Sequence, residues 1–131
     1  MRKKKIPETF DGAMKALAKM YKANIPELKE IAGTKFVAQC HHTIGTYLRN
    51  EWFLWWYEGH EHDHWPTEQP KLNAWFNSIG ITHADDMSSI LLLCFHRTLM
   101  GKDLEIDKQV AKYQKHWKEN GYPDGIPKMK K

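Results

Sequence analysis

Apolar side chains recur along this chain three or four residues apart, which is the spacing of helices rather than the alternation of strands. The clearest stripe follows i, i+4, i+7 and i+11: Phe10, Met14, Leu17 and Tyr21. A similar stripe near the other end has lysines on its opposite face: Ile106, Val110, Tyr113 and Trp117. The sequence shows no internal repeat and no Gly-rich phosphate loop. The pattern predicts an all-α fold, a compact single-domain bundle of five to six helices.

The most apolar segment is predicted to be the central helix, near residues 84–100. Its side chains are apolar on nearly every side, which is typical of a helix that its neighbours cover. Thr82 is the expected N-cap, and Asp85 follows three positions later in an approximate capping box. A few polar residues form a line along this helix: Asp85, Ser89, His96 and, at its edge, Arg97.

A second long helix is predicted over residues 35–54, with Thr34 as its cap. Its core-facing stripe has six members: Phe36, Val37, Cys40, Ile44, Tyr47 and Leu48. Four further residues lie on the flank of that stripe: His41, Gly45, Arg49 and Trp52. A glycine inside a helix costs about 1 kcal/mol relative to alanine, so Gly45 is expected to serve a purpose. Its missing side chain would leave a dent beside Arg49, which we interpret as a candidate site for a small anion or carboxylate.

Local start and stop signals predict the remaining helices. Thr9 is expected to cap the first helix. Pro26, in the first turn, begins a short helix that Gly33 ends. Thr67 is expected to cap another short helix, and Asp103 the last one.

Residues 52–57 contain five aromatic side chains in six positions. One helical face cannot bury all of them against a core, so some are expected to line a groove or an interface, where aromatic patches usually mark contacts. The other interpretation is that the helix ends inside the core and the rings pack on several sides. The sequence leaves both open.

A polar loop with alternating histidines follows and is bounded by Pro66. Its candidate metal ligands are His60, His62, Asp63 and His64. In an extended backbone the three imidazoles would share one side, and imidazole with carboxylate suits zinc, nickel or copper. Metal sites usually take ligands that a supporting shell of hydrogen bonds holds in place. A solvated loop is therefore the favoured interpretation, and no metal or other cofactor is expected.

The charge of this chain is concentrated at its two ends. The formal net charge is +4, yet the ends alone carry seven cationic side chains: Arg2, Lys3, Lys4, Lys5, Lys128, Lys130 and Lys131. The folded body is therefore mildly acidic. We expect flexible ends at residues 1–6 and 121–131 around one domain at 7–120, with nucleic acid contacted only non-specifically through these ends.

Cysteine use and hydropathy favour a cytoplasmic protein. Cys40 and Cys94 both fall at apolar helix positions, as free buried thiols of a reducing compartment do. No apolar segment follows the basic residues 2–5, so no signal peptide is expected. No run approaches the roughly 18 apolar residues of a membrane span, so we expect no membrane contact.

Three short motifs stand out: Leu48-Arg49-Asn50-Glu51-Trp52, His83-Ala84-Asp85-Asp86-Met87-Ser88-Ser89-Ile90 and Leu99-Met100-Gly101-Lys102-Asp103. With the opening Pro7-Glu8-Thr9-Phe10-Asp11, they resemble an uncharacterised family of small helical domains from bacteria and some phages. That family generally has proline where this chain has Ala84, and it is shorter at residues 57–70. The resemblance implies that the histidine loop is an insertion. It supports the fold and the choice of polar residues, and it implies no activity.

Residues of these helices and motifs form one candidate site for a ligand or partner: His41, His42, Gly45, Arg49, Asn50, Trp52, Asp85, Asp86 and Ser89. The structural interpretation is an ion pair from Arg49 to Asp85 or Asp86 that joins two helices. Breaking a buried pair costs about 3–5 kcal/mol, enough to keep those residues without a ligand. The functional interpretation places a ligand or a partner side chain in the dent at Gly45, held by Arg49 and a histidine.

We expect a small non-enzymatic protein that binds a protein partner or a small anionic ligand. Size, basic ends and resemblance favour a phage or mobile-element accessory protein that modulates a host factor. The alternative is a metal-dependent hydrolase. It would use the His60–His64 loop or a second cluster, which consists of His41, His42, Asp85 and Asp86. In that cluster a histidine would act as the general base. The sequence shows no nucleophile elbow and no cofactor fingerprint, so no residue is assigned a catalytic role.

Overall fold

Seven α-helices and one 3₁₀ turn form the regular structure of residues 6–128, the part of the chain that the computed structural model describes. The α-helices are α1 (Phe10–Met20), α2 (Ile25–Leu28), α3 (Gly33–Cys40), α4 (Ile44–Glu51), α5 (Lys71–Ser78), α6 (Ala84–Leu99) and α7 (Ile106–Glu119). The 3₁₀ turn is Lys22–Asn24. No strand is found among the described residues, so the predicted all-α class is confirmed. The expected five to six helices were too few.

The extra helix comes from a break in the segment 35–54, which was predicted as one helix. It is instead α3 and α4, joined by a turn at residues 41–43, and α4 ends at Glu51. In the turn, the amide and the hydroxyl of Thr43 both donate to the carbonyl oxygen of Cys40, at 3.1 and 3.3 Å. The apolar stripe continues across the turn because α4 packs on the same core. Its periodicity therefore did not reveal the break.

Helix α6 lies at the centre of the bundle, as predicted. It packs against α1, α3, α4 and α7, and ten of its sixteen residues are buried. Burial of this kind is the main stabilising contribution, about 25 cal/mol for each Å² of apolar surface removed from water. No helix in residues 6–128 combines the length and the hydropathy needed to cross a bilayer.

Several helix starts differ from the predicted caps. The side chain of Thr9 does cap α1, accepting from the amide of Gly12 at 2.9 Å. The cap of α6 is His83, whose Nδ1 accepts from the Asp85 amide at 3.1 Å, so the Thr82 capping box was wrong. Three other N-caps fall at residues that carry no capping side-chain bond: Ala32 rather than Thr34, Pro70 rather than Thr67, and Glu105 rather than Asp103.

The aromatic stretch at residues 52–57 divides between core and surface. Trp52 and Trp56 are buried, whereas Phe53, Trp55 and Tyr57 are half-buried. Some of these rings therefore pack in the core and others remain partly accessible at the surface, so each of the two interpretations holds for part of the stretch. The division arises because α4 ends here in a sharp turn, which sends successive rings to different sides.

The buried Asn73 of α5 holds that aromatic stretch in place. Its Nδ2 donates to the carbonyl oxygens of Leu54 and Trp56, at 3.0 and 3.3 Å. Its Oδ1 accepts from Gln69 at 2.8 Å. A buried polar side chain whose bonds are all satisfied defines one geometry for the chain around it.

Residues 122–128 pack on the bundle, although a flexible end was expected from 121. The hydroxyl of Thr82 donates to the carbonyl oxygen of Pro127, and Gly125 is buried against Gln114. At the other end, Ile6 packs on the core. The expectation of flexible ends otherwise falls on residues 1–5 and 129–131, which lie outside the described residues.

Asn73→Ala should lower the free energy of unfolding, because it leaves two main-chain carbonyls without their donor. A stranded buried group costs about 1–3 kcal/mol. Denaturant unfolding measures the change. The matched control is Asn77→Ala, one turn later on the same helix. Asn77 is exposed and donates to one main-chain carbonyl, that of Ile81, where Asn73 is buried and donates to two, so its loss should cost clearly less. Equal losses for the two variants would contradict the role assigned to Asn73.

Candidate functional site

The guanidinium of Arg49 is buried where α4 meets the start of α6. Its Nη1 donates to Ser88 Oγ at 2.8 Å, and its Nη2 donates to the carbonyl oxygen of His41 and to Thr46 Oγ1, at 2.8 and 3.1 Å. Its Nε lies 3.4 Å from Asp85 Oδ1. Only 7% of the Arg49 side chain is exposed, against 42% of the Asp85 side chain. The structure therefore contains the predicted ion pair between two helices, and the partner of Arg49 is Asp85.

The dent predicted at Gly45 is already filled by the chain itself. A Cβ atom added at Gly45 would lie 2.9 Å from Arg49 Nη1 and 3.0 Å from the carbonyl oxygen of Cys40. Gly45 therefore makes room for the guanidinium that crosses its face. The expectation of a ligand in this dent is corrected, because Arg49 occupies the space and its donors have partners inside the protein.

Asp86, a buried acidic residue of the predicted cluster, faces α7 rather than Arg49. Its carboxylate accepts from the indole Nε1 of Trp117, at 2.8 Å. Burial raises the pKa of Asp86, an effect that this hydrogen bond opposes. Asp86 therefore joins α6 to α7, and the residues of α6 that contact Arg49 are Asp85 and Ser88.

The remaining predicted site residues do not gather around Arg49 either. Ser89 bonds to Tyr113 on α7, away from Arg49, and Trp52 is part of the core. The imidazole of His41 packs edge-on against that of the exposed His42. The contact between His41 and Arg49 is made by the main-chain oxygen rather than by the imidazole. The structure thus brings together only part of the predicted cluster: His41, Gly45, Arg49 and Asp85.

A cleft of about 540 Å³ opens beside Arg49, at the end of α4. We call it the aromatic cleft, and its lining residues are Arg49, Asn50, Glu51, Phe53, Trp55, His64 and Trp65. Its volume falls within the range of about 300–1,000 Å³ that is usual for ligand sites. Of the predicted site, only Arg49 and Asn50 belong to it. The aromatic stretch at residues 52–57 indicated that Phe53 and Trp55 could line a groove. The sequence did not show that Trp65 folds back to line the same groove.

Phe53 enters the cleft wall with a left-handed backbone, at φ = 52°. The turn that requires this conformation ends α4, where the Leu54 amide donates to the carbonyl oxygen of Arg49 at 3.0 Å. A residue with a Cβ atom adopts left-handed helical geometry at a cost of about 1–2 kcal/mol. Strain of this kind is concentrated at functional sites in proteins.

The histidine loop packs its rings around Trp65. His62 stacks on Trp65 with ring centroids 4.0 Å apart, and Tyr57 meets the same indole edge-on at 5.6 Å. The Nδ1 of His60 accepts from the amide of His62, so its Nε2 carries the hydrogen and donates to the carbonyl oxygen of Pro66. Both ring nitrogens of His60 are therefore engaged.

These contacts give the loop the role of a support for Trp65. In residues 6–128, no group of three or more His, Cys, Asp or Glu side chains is arranged to hold a metal ion. The candidate ligands His60, His62, Asp63 and His64 thus have no assembled coordination geometry in the structure.

Comparison with known proteins gives one match. A family model described as a domain of unknown function, DUF6794, matches residues 6–99, which contain α1 to α6 and the whole aromatic cleft. No curated protein and no solved structure matches the chain.

Gly45→Ala should destabilise the protein although it improves helix propensity. The added Cβ must displace the Arg49 guanidinium, and overpacking of this kind costs about 1–3 kcal/mol. Denaturant unfolding of a double-mutant cycle checks the cause, because Gly45→Ala should cost less once Arg49→Ala has removed the obstructing group. A gain of about 1 kcal/mol from Gly45→Ala alone, as propensity predicts, would contradict the packing.

Phe53→Gly should be more stable than Phe53→Ala, by about 1 kcal/mol, because both variants lose the ring and only glycine adopts positive φ without strain. Trp55 provides the control, since it does not share the positive φ of Phe53. At that position the alanine variant should be the more stable of the two. Chemical unfolding measures all four variants, and the same order at both positions would refute the left-handed turn.

Proposed function

This chain belongs to the DUF6794 family of domains of unknown function, and we propose that it acts as a small, non-enzymatic binding protein. Its partner is another protein, which inserts a side chain into the aromatic cleft. The observation that carries the proposal is the lining of the cleft. Half-buried aromatic side chains, Phe53, Trp55 and Trp65, line one concave surface beside polar groups. Tryptophan is the residue most enriched among the few that dominate binding energy at protein interfaces.

The cleft is supported from two sides, which favours binding without large rearrangement. The Arg49 network holds the end of α4, where Asn50 and Glu51 form one wall. Asn73 fixes the chain at Leu54 and Trp56, on both sides of Trp55. Side chains that are already ordered lose less conformational entropy when a partner binds.

The geometry favours a protein partner over the small anion considered from the sequence. An anion would need donors from Arg49, and these are directed at Ser88, Thr46 and the His41 carbonyl. Size, basic ends and resemblance favour an accessory protein of a phage or mobile element, and its partner would then be a factor of the host. The metal-dependent hydrolase has weaker support, because both ring nitrogens of His60 already bond to the main chain.

Site-specific photo-crosslinking tests the proposal. A photoreactive amino acid at the exposed position His64, in the cleft wall, should crosslink one protein from a host lysate. The same reagent at Met100, which is also exposed, is the matched control and should not crosslink that protein.

Cleft variants make the crosslinking result specific. Phe53→Gly should reduce the crosslink from position 64 by about tenfold, a loss that corresponds to about 1.4 kcal/mol of binding free energy. Met20→Ala, at an exposed methionine outside the cleft, should leave it unchanged. A crosslink equally strong from positions 64 and 100, or one insensitive to Phe53→Gly, would overturn the proposal.

A further inference from the structure

We infer that the aromatic cleft takes an arginine side chain from a basic, extended peptide segment of the partner. The inference rests on the proposed function and gives the chemistry of the partner. It follows from three features of the described residues: the aromatic lining, the internal neutralisation of Arg49 and an adjoining surface rich in carboxylates.

The first feature is the set of rings in the cleft. Phe53, Trp55 and Trp65 line it, and indole gives the strongest attraction to a cation held over its face. A guanidinium is planar and weakly hydrated, so it stacks on such rings more readily than an ammonium group does. The lining therefore suits arginine better than lysine.

The second feature is the net charge of the residues that line the aromatic cleft. Arg49 is the only Lys or Arg among the seven lining residues. It lies 3.4 Å from the Asp85 carboxylate and donates to three oxygen atoms of the protein. The Arg49–Asp85 pair adds no net charge to the cleft, so a second cation meets little repulsion there.

The third feature is the composition of the surrounding chain. Residues 50–70 contain no Lys or Arg, and their five carboxylates are Glu51, Glu58, Glu61, Asp63 and Glu68. The chain as a whole is basic, so this segment is the exception. A negative surface of this kind attracts basic segments and accelerates their association.

Three of these carboxylates lie where a peptide leaving the cleft would pass. A second depression of about 620 Å³, which we call the acidic depression, adjoins the aromatic cleft, and Trp65 lines both. Glu58, Glu61 and Asp63 line the acidic depression and are exposed. An extended segment that crosses Trp65 would place one arginine against the rings and a neighbouring basic residue beside these carboxylates.

The experiment uses the full chain and fluorescence anisotropy of labelled peptides. The probe is a nine-residue peptide of glycine and serine with three arginines. The matched peptide replaces each arginine by citrulline, which keeps the shape and removes the charge. The arginine peptide should bind at least about tenfold more tightly than the citrulline peptide, as expected when cation–π and ionic contacts are both lost.

Two sets of variants separate recognition from net charge. The triple variant Glu58→Gln, Glu61→Gln, Asp63→Asn removes the carboxylates of the acidic depression. The control triple variant Glu27→Gln, Glu30→Gln, Asp107→Asn removes the same charge from exposed positions elsewhere. The first should weaken binding about tenfold more than the second, and Phe53→Gly should weaken it although it leaves the charge unchanged.

Equal binding of the two peptides, or equal losses in the two triple variants, would overturn the inference. If position 64 still crosslinks a partner in that case, the proposed function stands and only the chemistry assigned to the partner fails. If the crosslink is also absent, the proposed function fails as well. If the arginine peptide binds tightly and Phe53→Gly has no effect, the peptide binds outside the aromatic cleft and the inference is wrong.

Discussion

The burial of one guanidinium, that of Arg49, is the constraint on which the rest of this fold depends. A charge removed from water is tolerated only when oxygen atoms surround it in good geometry. Here the turn between α3 and α4 supplies the His41 carbonyl, and the start of α6 supplies Ser88 and Asp85. The same requirement excludes a side chain at residue 45. A turn, a glycine and the position of the central helix therefore follow from a single group.

The features decided by local sequence were the most predictable. The apolar length of α6 and the Thr9 cap depend on neighbours within one or two turns, and the structure confirms both. The break at residues 41–43 was missed because its stabilising partner, Arg49, is six or more residues away. His83 was missed as a cap because a histidine at that position carries a weaker signal than the threonine before it.

The candidate site shows the same limit more strongly. The sequence pointed correctly to Arg49, Gly45 and Asp85 as interacting residues, and helical spacing was enough to bring the first two together. It could not show that Arg49 itself fills the space left at Gly45, since that depends on the rotamer of a long side chain. Nor could it place Trp65 in the cleft, because a loop of irregular structure determines the path back from residue 57.

Trp65 forms a wall of both depressions, and this sharing has an evolutionary consequence. Two depressions with separate walls can change shape independently of each other during evolution. Surfaces that share one indole cannot, because any replacement at residue 65 changes the shape of both at once. Among relatives that keep the loop, changes at Trp65 should therefore be accompanied by changes at Phe53 or Trp55 on one side and at Glu58 or Glu61 on the other.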